Sequence, residues 1–146
     1  MLYFDSAYVA KCYLNDPDAD AVRALVRDAV PLYSSALCVP EVSSALYRRY
    51  REGYINRRQF RELETMFQDD LRQGTWTLVP VSDAVLQHVA GCYRSLSPGV
   101  FLRAADAIHL ASAVLAGFQT VWTSDRHLLQ SAKHFGLKGR SAAPLT

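Results

Sequence analysis

Short β-forming runs alternate with longer amphipathic stretches along the chain. The β-forming runs predict strands at residues 2–4, 31–34, 75–81 and 119–124, with a last short strand near Lys138. Apolar residues between these runs recur with helical spacing, and the predicted helices cover residues 7–14, 21–30, 40–53, 57–73, 83–96, 103–116 and 125–135. Strands that alternate with helices favour right-handed crossovers and a parallel sheet covered by helices on both faces. The pattern therefore predicts an α/β fold with about four to five short strands.

Length and composition indicate one globular domain over residues 1–146. Half of the residues are hydrophobic and 21% are charged, which excludes a disordered chain. The formal net charge of +2 neither requires nor excludes an anionic partner. The chain also lacks repeats, linkers and low-complexity tracts, so any argument for nucleic-acid binding has to come from local patches.

Cysteine usage and the first residues indicate a protein of the cytoplasm. The three cysteines, Cys12, Cys38 and Cys92, are scattered in apolar stretches without the short spacings of zinc or redox sites, so we expect buried thiols in a reducing compartment. Met1 is followed directly by a predicted strand, with no signal peptide. The most apolar stretch, residues 104–118, is shorter than the roughly 20 residues that span a bilayer.

Four acidic residues follow predicted strands or begin predicted helices: Asp5, Glu41, Asp106 and Asp125. Because ligands bind at the carboxyl ends of parallel strands, we expect the four carboxylates to share one rim of the sheet. Taken singly, each acid is also a normal helix cap or first-turn residue. Two carboxylates about 4 Å apart repel by about 4 kcal/mol at an effective dielectric of 20, which a divalent cation would relieve. An all-oxygen site of this kind suits Mg²⁺ or Mn²⁺.

Four segments in order resemble the motif regions of PIN-domain ribonucleases, most closely the VapC-type toxins of bacterial toxin–antitoxin pairs. The segments are LYFDSAYVAKCYLND, PEVSSALYRR, LRAADAIHLASAVLAG and VWTSDRHLLQSAKHFGL, and they cover nearly the whole chain. The resemblance implies a three-layer α/β/α fold of PIN type. It also implies a metal-dependent endoribonuclease that leaves a 5′-phosphate and a 3′-hydroxyl, is held inactive by a small antitoxin, and forms a homodimer.

The same resemblance assigns roles to named residues. Asp5, Glu41, Asp106 and Asp125 correspond to the acidic quartet of the family, with Asp5 and Asp106 the strongest candidates for metal ligands. Ser6 and Thr123 correspond to hydroxyls that support the acids. No motif matches between Tyr54 and Gly99, so substrate choice is least constrained there. The alternative function is a non-catalytic module of the same fold that binds RNA or a protein partner without cutting.

Other chemistries fit the sequence less well. Four histidines permit a metal-free ribonuclease with a general acid and base, although no local motif marks a catalytic pair. His109 lies three residues after Asp106, where packing or orientation is the expected role. His88 and Cys92 are four residues apart but lack further zinc ligands. The sequence has neither GxGxxG nor a Walker A motif, which excludes the common nucleotide-binding folds.

A basic segment runs from Arg48 to Arg61 and contains six arginines. It is interpreted either as a phosphate-binding surface or as a solvated helix pair with Arg48–Glu52 and Arg58–Glu62 ion pairs. Arg48 lies seven residues after Glu41, on the same helix face, and is the candidate RNA contact. Three tyrosines with helical spacing, Tyr47, Tyr50 and Tyr54, favour core packing or a protein interface over base stacking.

Overall fold

Five short strands and seven α-helices alternate in the described residues, 1–29 and 31–144, of a computed structural model. The strands are β1 (Leu2–Tyr3), β2 (Leu32–Ser35), β3 (Trp76–Val79), β4 (Thr120–Trp122) and β5 (Lys138–Arg140). The helices are α1 (Ser6–Lys11), α2 (Ala19–Arg27), α3 (Cys38–Arg51), α4 (Arg57–Arg72), α5 (Asp83–Ser95), α6 (Ala104–Leu115) and α7 (Arg126–Ser131), and a 3₁₀ turn (Ala132–Phe135) follows α7. Within these residues, no helix is both long and apolar enough to cross a bilayer.

The strands form a parallel array in the order β3-β2-β1-β4-β5. β2 pairs in parallel with β1 and β3, and β4 pairs in parallel with β5. A parallel bridge between Phe4 and Trp122 joins the two parts, and the Asp5 amide donates to the Trp122 carbonyl at 3.2 Å. Strands β2 and β3 therefore lie on one side of β1, whereas the later strands β4 and β5 lie on the other side. Such a switch point leaves a crevice at the carboxyl ends of the strands.

Two consecutive aromatic residues at β1 show that the sheet is buried on both faces. Tyr3 packs with the cluster formed by α5, α6 and α7, whereas Phe4 packs with the cluster formed by α1 to α4. Both side chains are fully buried, because successive residues of a strand point to opposite faces. This arrangement confirms the three-layer α/β/α architecture expected for the chain.

Helix α6 approaches the sheet closely because its inner face carries small residues. Ala107, Ala111 and Ala113 are fully buried, and the Ser112 hydroxyl donates to Ser35 Oγ at 3.2 Å. This contact ties α6 to the end of β2. As a result, the first turn of α6, which contains Asp106, lies beside the carboxyl edge of the sheet.

Element boundaries differ from the sequence prediction in several places; for example, helix α1 covers Ser6–Lys11 rather than 7–14, and strand β3 covers Trp76–Val79 rather than 75–81. The predicted helix over 125–135 is divided into α7 and the 3₁₀ turn, which ends at Gly136 with a left-handed φ of 71°. Helix α3 begins at Cys38, so Pro40 lies in the first turn, where the missing amide leaves no bond unmade. Helix α2 covers Ala19–Arg27 rather than 21–30, and the predicted end at Val30 lies outside the described residues.

Gly139 provides a test of the packing between β5 and α7. A methyl group on its Cα would lie 2.8 Å from Leu129 Cδ2 and 2.9 Å from the Leu129 carbonyl oxygen. Gly139→Ala is therefore expected to lower the free energy of unfolding by about 1–3 kcal/mol, the usual cost of overpacking. Chemical denaturation measures the change, with Gly99→Ala as the control because its added methyl meets nothing within 4 Å. Equal stability of the two variants would contradict the packing.

Candidate active site

An open cleft of about 540 Å³ lies at the carboxyl edge of the sheet. Its walls come from α1, α3 and the start of α6, and from the residues that precede α1, α6 and α7. The four predicted acids all line the cleft, and so do the following side chains: Ser6, Arg48, Arg103 and His109. The topology thus brings together residues that are up to 120 positions apart in the sequence, from Asp5 to Asp125.

Asp5 lies at the floor of the cleft and is only 4% exposed. Its Oδ1 accepts the Tyr8 amide at 3.0 Å, and its Oδ2 accepts the Thr123 hydroxyl at 2.5 Å. Thr123 Oγ1 in turn accepts the Asp125 amide at 2.9 Å, which links the ends of β1 and β4. Burial raises the pKa of Asp5 from 3.8 to about 6, although the Thr123 hydrogen bond and the nearby His109 oppose the shift.

Glu41 is oriented by two buried polar partners. Ser6 Oγ donates to Glu41 Oε1 at 2.8 Å, and His109 Nε2 lies 2.7 Å from the same oxygen and 2.9 Å from Ser6 Oγ. His109 Nδ1 is buried without a hydrogen-bond partner among the described residues. This assigns the ring proton of a neutral His109 to Nε2, because a protonated Nδ1 would be a buried donor without an acceptor.

These contacts keep Glu41 in its ionised form. Burial alone would raise the pKa of Glu41, but the His109 and Ser6 hydrogen bonds and the charge of Arg103 outweigh it and hold the pKa below the usual value. Oε1 takes both hydrogen bonds, so Oε2 has no partner in the described structure. His109 therefore fulfils the orienting role predicted from its position after Asp106.

Arg103 connects the two remaining acids. Its Nε donates to Asp106 Oδ2 at 2.7 Å and its Nη2 donates to Asp125 Oδ2 at 2.5 Å. Burial raises the pKa of Asp106 despite this contact, and Asp106 and Asp125 together raise the pKa of Arg103. Burial also acts against ionisation of Asp125, but hydrogen bonds from the Leu128 amide and from Arg103 lower its pKa overall.

The capping role of the acids accounts for only part of their contacts. Asp5 caps α1 through Oδ1, and Asp125 caps α7 by accepting the His127 and Leu128 amides at its Oδ1. Asp106 lies inside the first turn of α6 and caps nothing. In both capping residues the second oxygen is directed to another partner, Thr123 or Arg103. Each of these carboxylates therefore has an oxygen that the cap does not require.

The donor set matches an oxygen-seeking divalent cation. The acids that line the cleft offer carboxylate oxygens without a cysteine ligand, and Ser6 adds a hydroxyl. Within residues 1–29 and 31–144, no three acidic, histidine or cysteine side chains are already drawn together around a single point. The guanidinium of Arg103 lies between two of the acids instead. The positive charge of Arg103 thus already neutralises part of the negative charge of Asp106 and Asp125.

The predicted roles of the basic segment and of the tyrosines hold in part. Arg48 lines the cleft, but the predicted Arg48–Glu52 pair is wrong, because Glu52 lies 3.7 Å from Arg51 instead. The predicted Arg58–Glu62 pair is present at 2.8 Å. Of the three tyrosines, Tyr47 and Tyr50 pack against Phe60 of α4, with the Tyr50 and Phe60 rings stacked at 5.5 Å between centroids. Tyr54 is exposed and lies beside Arg49, so core packing was the wrong expectation for it.

Sequence reasoning missed Arg103. Arg103 was the first residue of a predicted helix and had no motif of its own, and its partners Asp106 and Asp125 are 3 and 22 residues away. The three-residue spacing to Asp106 was a usable signal, since such pairs lie on one helix face. The contact with Asp125 depends on the topology that places α6 beside α7.

Replacing the buried carboxylate of Asp5 should stabilise the fold. The Asp5 pKa of about 6 exceeds its ordinary value of 3.8, so the wild type loses stability as the pH rises from about 4 to about 6. Asp5→Asn removes this ionisation and is expected to gain about 2–3 kcal/mol near pH 8, and much less near pH 4. Urea denaturation in EDTA at both pH values measures the difference. Asp83→Asn, at an exposed position, is the control, and a pH-independent effect of Asp5→Asn would contradict the burial argument.

The fold agrees with comparisons with known proteins. A family model described as PIN domain matches residues 2–133. Ribonuclease VapC46 of Mycobacterium tuberculosis is 31% identical over 139 residues, which make up 93% of this chain and 93% of that protein. FitAcB from Neisseria gonorrhoeae is 17% identical and superposes with a TM-score of 0.71 over 97% of this chain and 98% of the other. Mycobacterium tuberculosis VapC20, described as a sarcin-ricin loop cleaving toxin, is 14% identical with a TM-score of 0.70 over 90% and 95%. The chain belongs to the PIN domain family and is related along nearly its whole length to a VapC ribonuclease.

Proposed function

We propose that the protein is a Mg²⁺- or Mn²⁺-dependent endoribonuclease and the toxin of a toxin–antitoxin pair. The observation that carries this proposal is the single cleft at the β1–β4 switch point, which all four acids line. A relative at 31% identity is named a ribonuclease, which supports the nuclease class. Hydrolysis of RNA phosphodiesters is the reaction that both observations favour.

Asp5 and Asp106 would hold the metal ion, and Asp125 and Glu41 would complete the site directly or through water. The oxygens of Asp5 and Asp125 that are not required for capping, and the free Oε2 of Glu41, are the donors this assignment uses. When bound, a divalent cation provides an activated water nucleophile near neutral pH and offsets charge on the phosphoryl oxygens.

The side chains of the chain supply orientation and charge. Thr123 and Ser6 hold Asp5 and Glu41 in fixed positions, and His109 keeps Glu41 ionised. In-line attack of water on phosphorus would break the P–O3′ bond and leave a 5′-phosphate and a 3′-hydroxyl. The attacking water would give its proton to an ionised carboxylate of the cleft, and the departing O3′ would take a proton from solvent, to which the cleft is open.

Positive charge beside the cleft offers a route for the RNA backbone. Arg48 lies on the α3 wall of the cleft, and the basic segment continues past it on α3 and α4. Four carboxylates alone would repel a polyanion, whereas arginines at the rim attract phosphates and make binding dependent on salt. Arg48 is therefore the proposed RNA contact nearest to the acids.

The proposed function also includes protein partners and a cellular location. The resemblance to VapC-type toxins implies a small cognate antitoxin that blocks the site, and a homodimer of the toxin. An arginine of the antitoxin reaching the acidic cleft would be a natural inhibitor, since guanidinium groups bind carboxylates in bidentate fashion. A cytoplasmic location stays a prediction from the sequence.

Cleavage of total cellular RNA by the purified, antitoxin-free chain tests the function. Wild type, Asp5→Asn and Asp106→Asn are each incubated with Mg²⁺, with Mn²⁺ and with EDTA, and the RNA ends are mapped by sequencing. We expect cuts at discrete sites with either metal, none with EDTA, and at least about a hundredfold slower cutting by both variants. Asp83→Asn, an exposed carboxylate outside the cleft, should cut at the wild-type rate.

Each contrary result has a defined meaning. Cutting that persists in EDTA would reject the metal-dependent mechanism, and equal rates for Asp5→Asn and wild type would mean that Asp5 is only a helix cap. A folded wild-type chain that binds RNA or a protein partner without cutting would point to the non-catalytic module instead.

His109 is expected to act on activity through Glu41. His109→Leu removes the hydrogen bond to Glu41 Oε1 and should lower kcat by about 10–100-fold, the usual effect of losing a partner that orients a ligand. His109→Gln keeps an N–H donor and should recover most of that loss. Multiple-turnover cleavage at saturating RNA measures kcat, and melting curves of both variants control for folding. Equal losses in the two variants would assign His109 to packing alone.

A further inference from the structure

Arg103 carries the positive charge that is closest to the acids of the cleft. Its guanidinium bridges Asp106 Oδ2 at 2.7 Å and Asp125 Oδ2 at 2.5 Å. One of these acids belongs to the first turn of α6 and the other precedes α7, so the bridge joins two helices. The two oxygens that Arg103 binds are among the donors that a metal ion would need. Both cations cannot occupy that space together.

The backbone that carries Arg103 is anchored independently of its side chain. Tyr93 Oη donates to the Leu102 carbonyl at 2.7 Å, and Ser131 Oγ donates to the Phe101 carbonyl at 3.3 Å. The Phe101 ring also lies against His127, with ring centroids 4.5 Å apart. These contacts fix residues 101 and 102 between α5 and α7. The loop therefore has no need to move when the side chain does.

The side chain of Arg103, in contrast, has room to turn. It is 51% exposed, and it makes no capping hydrogen bond although Arg103 occupies the N-cap position of α6. The cleft beside it contains Arg48 on the opposite wall. A guanidinium that leaves Asp106 and Asp125 would stay in the cleft and face the same bound phosphates as Arg48.

We propose that Arg103 is an internal counter-ion, which holds Asp106 and Asp125 in the metal-free chain, is displaced by the divalent cation, and then contacts the RNA phosphates. This inference rests on the proposed function and adds a residue to it. It explains why acids that line one cleft are not yet gathered around a common point in the described residues. Arg103 is thus a positioning residue before metal binding and a substrate contact afterwards.

The inference predicts that metal affinity and activity change in opposite directions. Arg103→Gln removes the competing cation and should tighten Mn²⁺ binding by at least about tenfold, yet slow RNA cleavage because a phosphate contact is lost. Calorimetric titration with Mn²⁺ measures the affinity, and electron paramagnetic resonance of unbound Mn²⁺ provides an independent value. The melting temperature should also rise more on addition of Mn²⁺ in Arg103→Gln than in wild type.

Arg48→Gln is the matched control for the metal titration. It removes the same charge from the same cleft, but no contact between Arg48 and a carboxylate of the cleft is found in the described structure. Its Mn²⁺ affinity should stay within about threefold of wild type, since a solvent-screened charge acts weakly at a distance. If both variants bind Mn²⁺ equally tightly, general charge explains the effect and direct competition is rejected.

Two further comparisons keep the inference separable from the proposed function. Arg103→Lys keeps the charge but has a single ammonium group, so we expect an Mn²⁺ affinity between those of wild type and Arg103→Gln, and this variant replaces the latter if it fails to fold. If the wild type binds Mn²⁺ and cuts RNA but Arg103→Gln binds Mn²⁺ no more tightly, the proposed role of Arg103 is wrong and the proposed function stands. A folded wild type that neither binds Mn²⁺ nor cuts RNA overturns the proposed function.

Discussion

Repulsion among four carboxylates at one edge of a parallel sheet is the constraint around which the cleft is built. Two such groups about 4 Å apart cost about 4 kcal/mol at an effective dielectric of 20, so each needs its own compensation. Glu41 has hydrogen bonds from Ser6 and His109, Asp125 has two backbone amides and Arg103, and Asp106 has Arg103. Asp5 accepts two hydrogen bonds yet retains a raised pKa because it is buried. The neighbours of the acids are thus arranged by electrostatics as much as by packing.

The sheet topology places the groups that offset the repulsion among the four carboxylates. Because β4 lies beside β1, Thr123 can donate to Asp5 and at the same time accept the Asp125 amide, so one hydroxyl connects two acids. The small buried residues of α6 let this helix approach β2, and that approach brings His109 to Glu41. Such a polar network is stable when its members are hydrogen-bonded, but it is costly when one partner is removed. Stability is given up locally at Asp5, which is typical of sites selected for function.

Periodicity and the order of the acids allowed most of the fold and the cleft residues to be predicted. Strand–helix alternation depends on local patterns, and the first-turn positions of Glu41 and Asp106 follow from the same patterns. The left-handed Gly136 ends the 3₁₀ turn at Phe135, where the predicted helix also ended, whereas the division of that helix after Ser131 had no signal in the sequence. Arg103 could not be predicted in the same way, because its second partner, Asp125, is set by how the fold places the start of α6 beside the start of α7. Likewise, Glu52 could form an ion pair with Arg48 or with Arg51, and sequence spacing alone does not determine that Arg51 is the partner.

The guanidinium of Arg103 offsets the repulsion between Asp106 and Asp125. Without a cation, Asp106 and Asp125 would repel each other and the first turn of α6 would be pushed from the end of β4. Arg103 offsets this repulsion from a backbone held by Tyr93 and Ser131. The same contact must weaken metal binding, because the ion has to displace an existing ion pair. In the function proposed above, this arrangement would keep the acids ordered before the metal binds, while the cleft would become catalytically complete only afterwards.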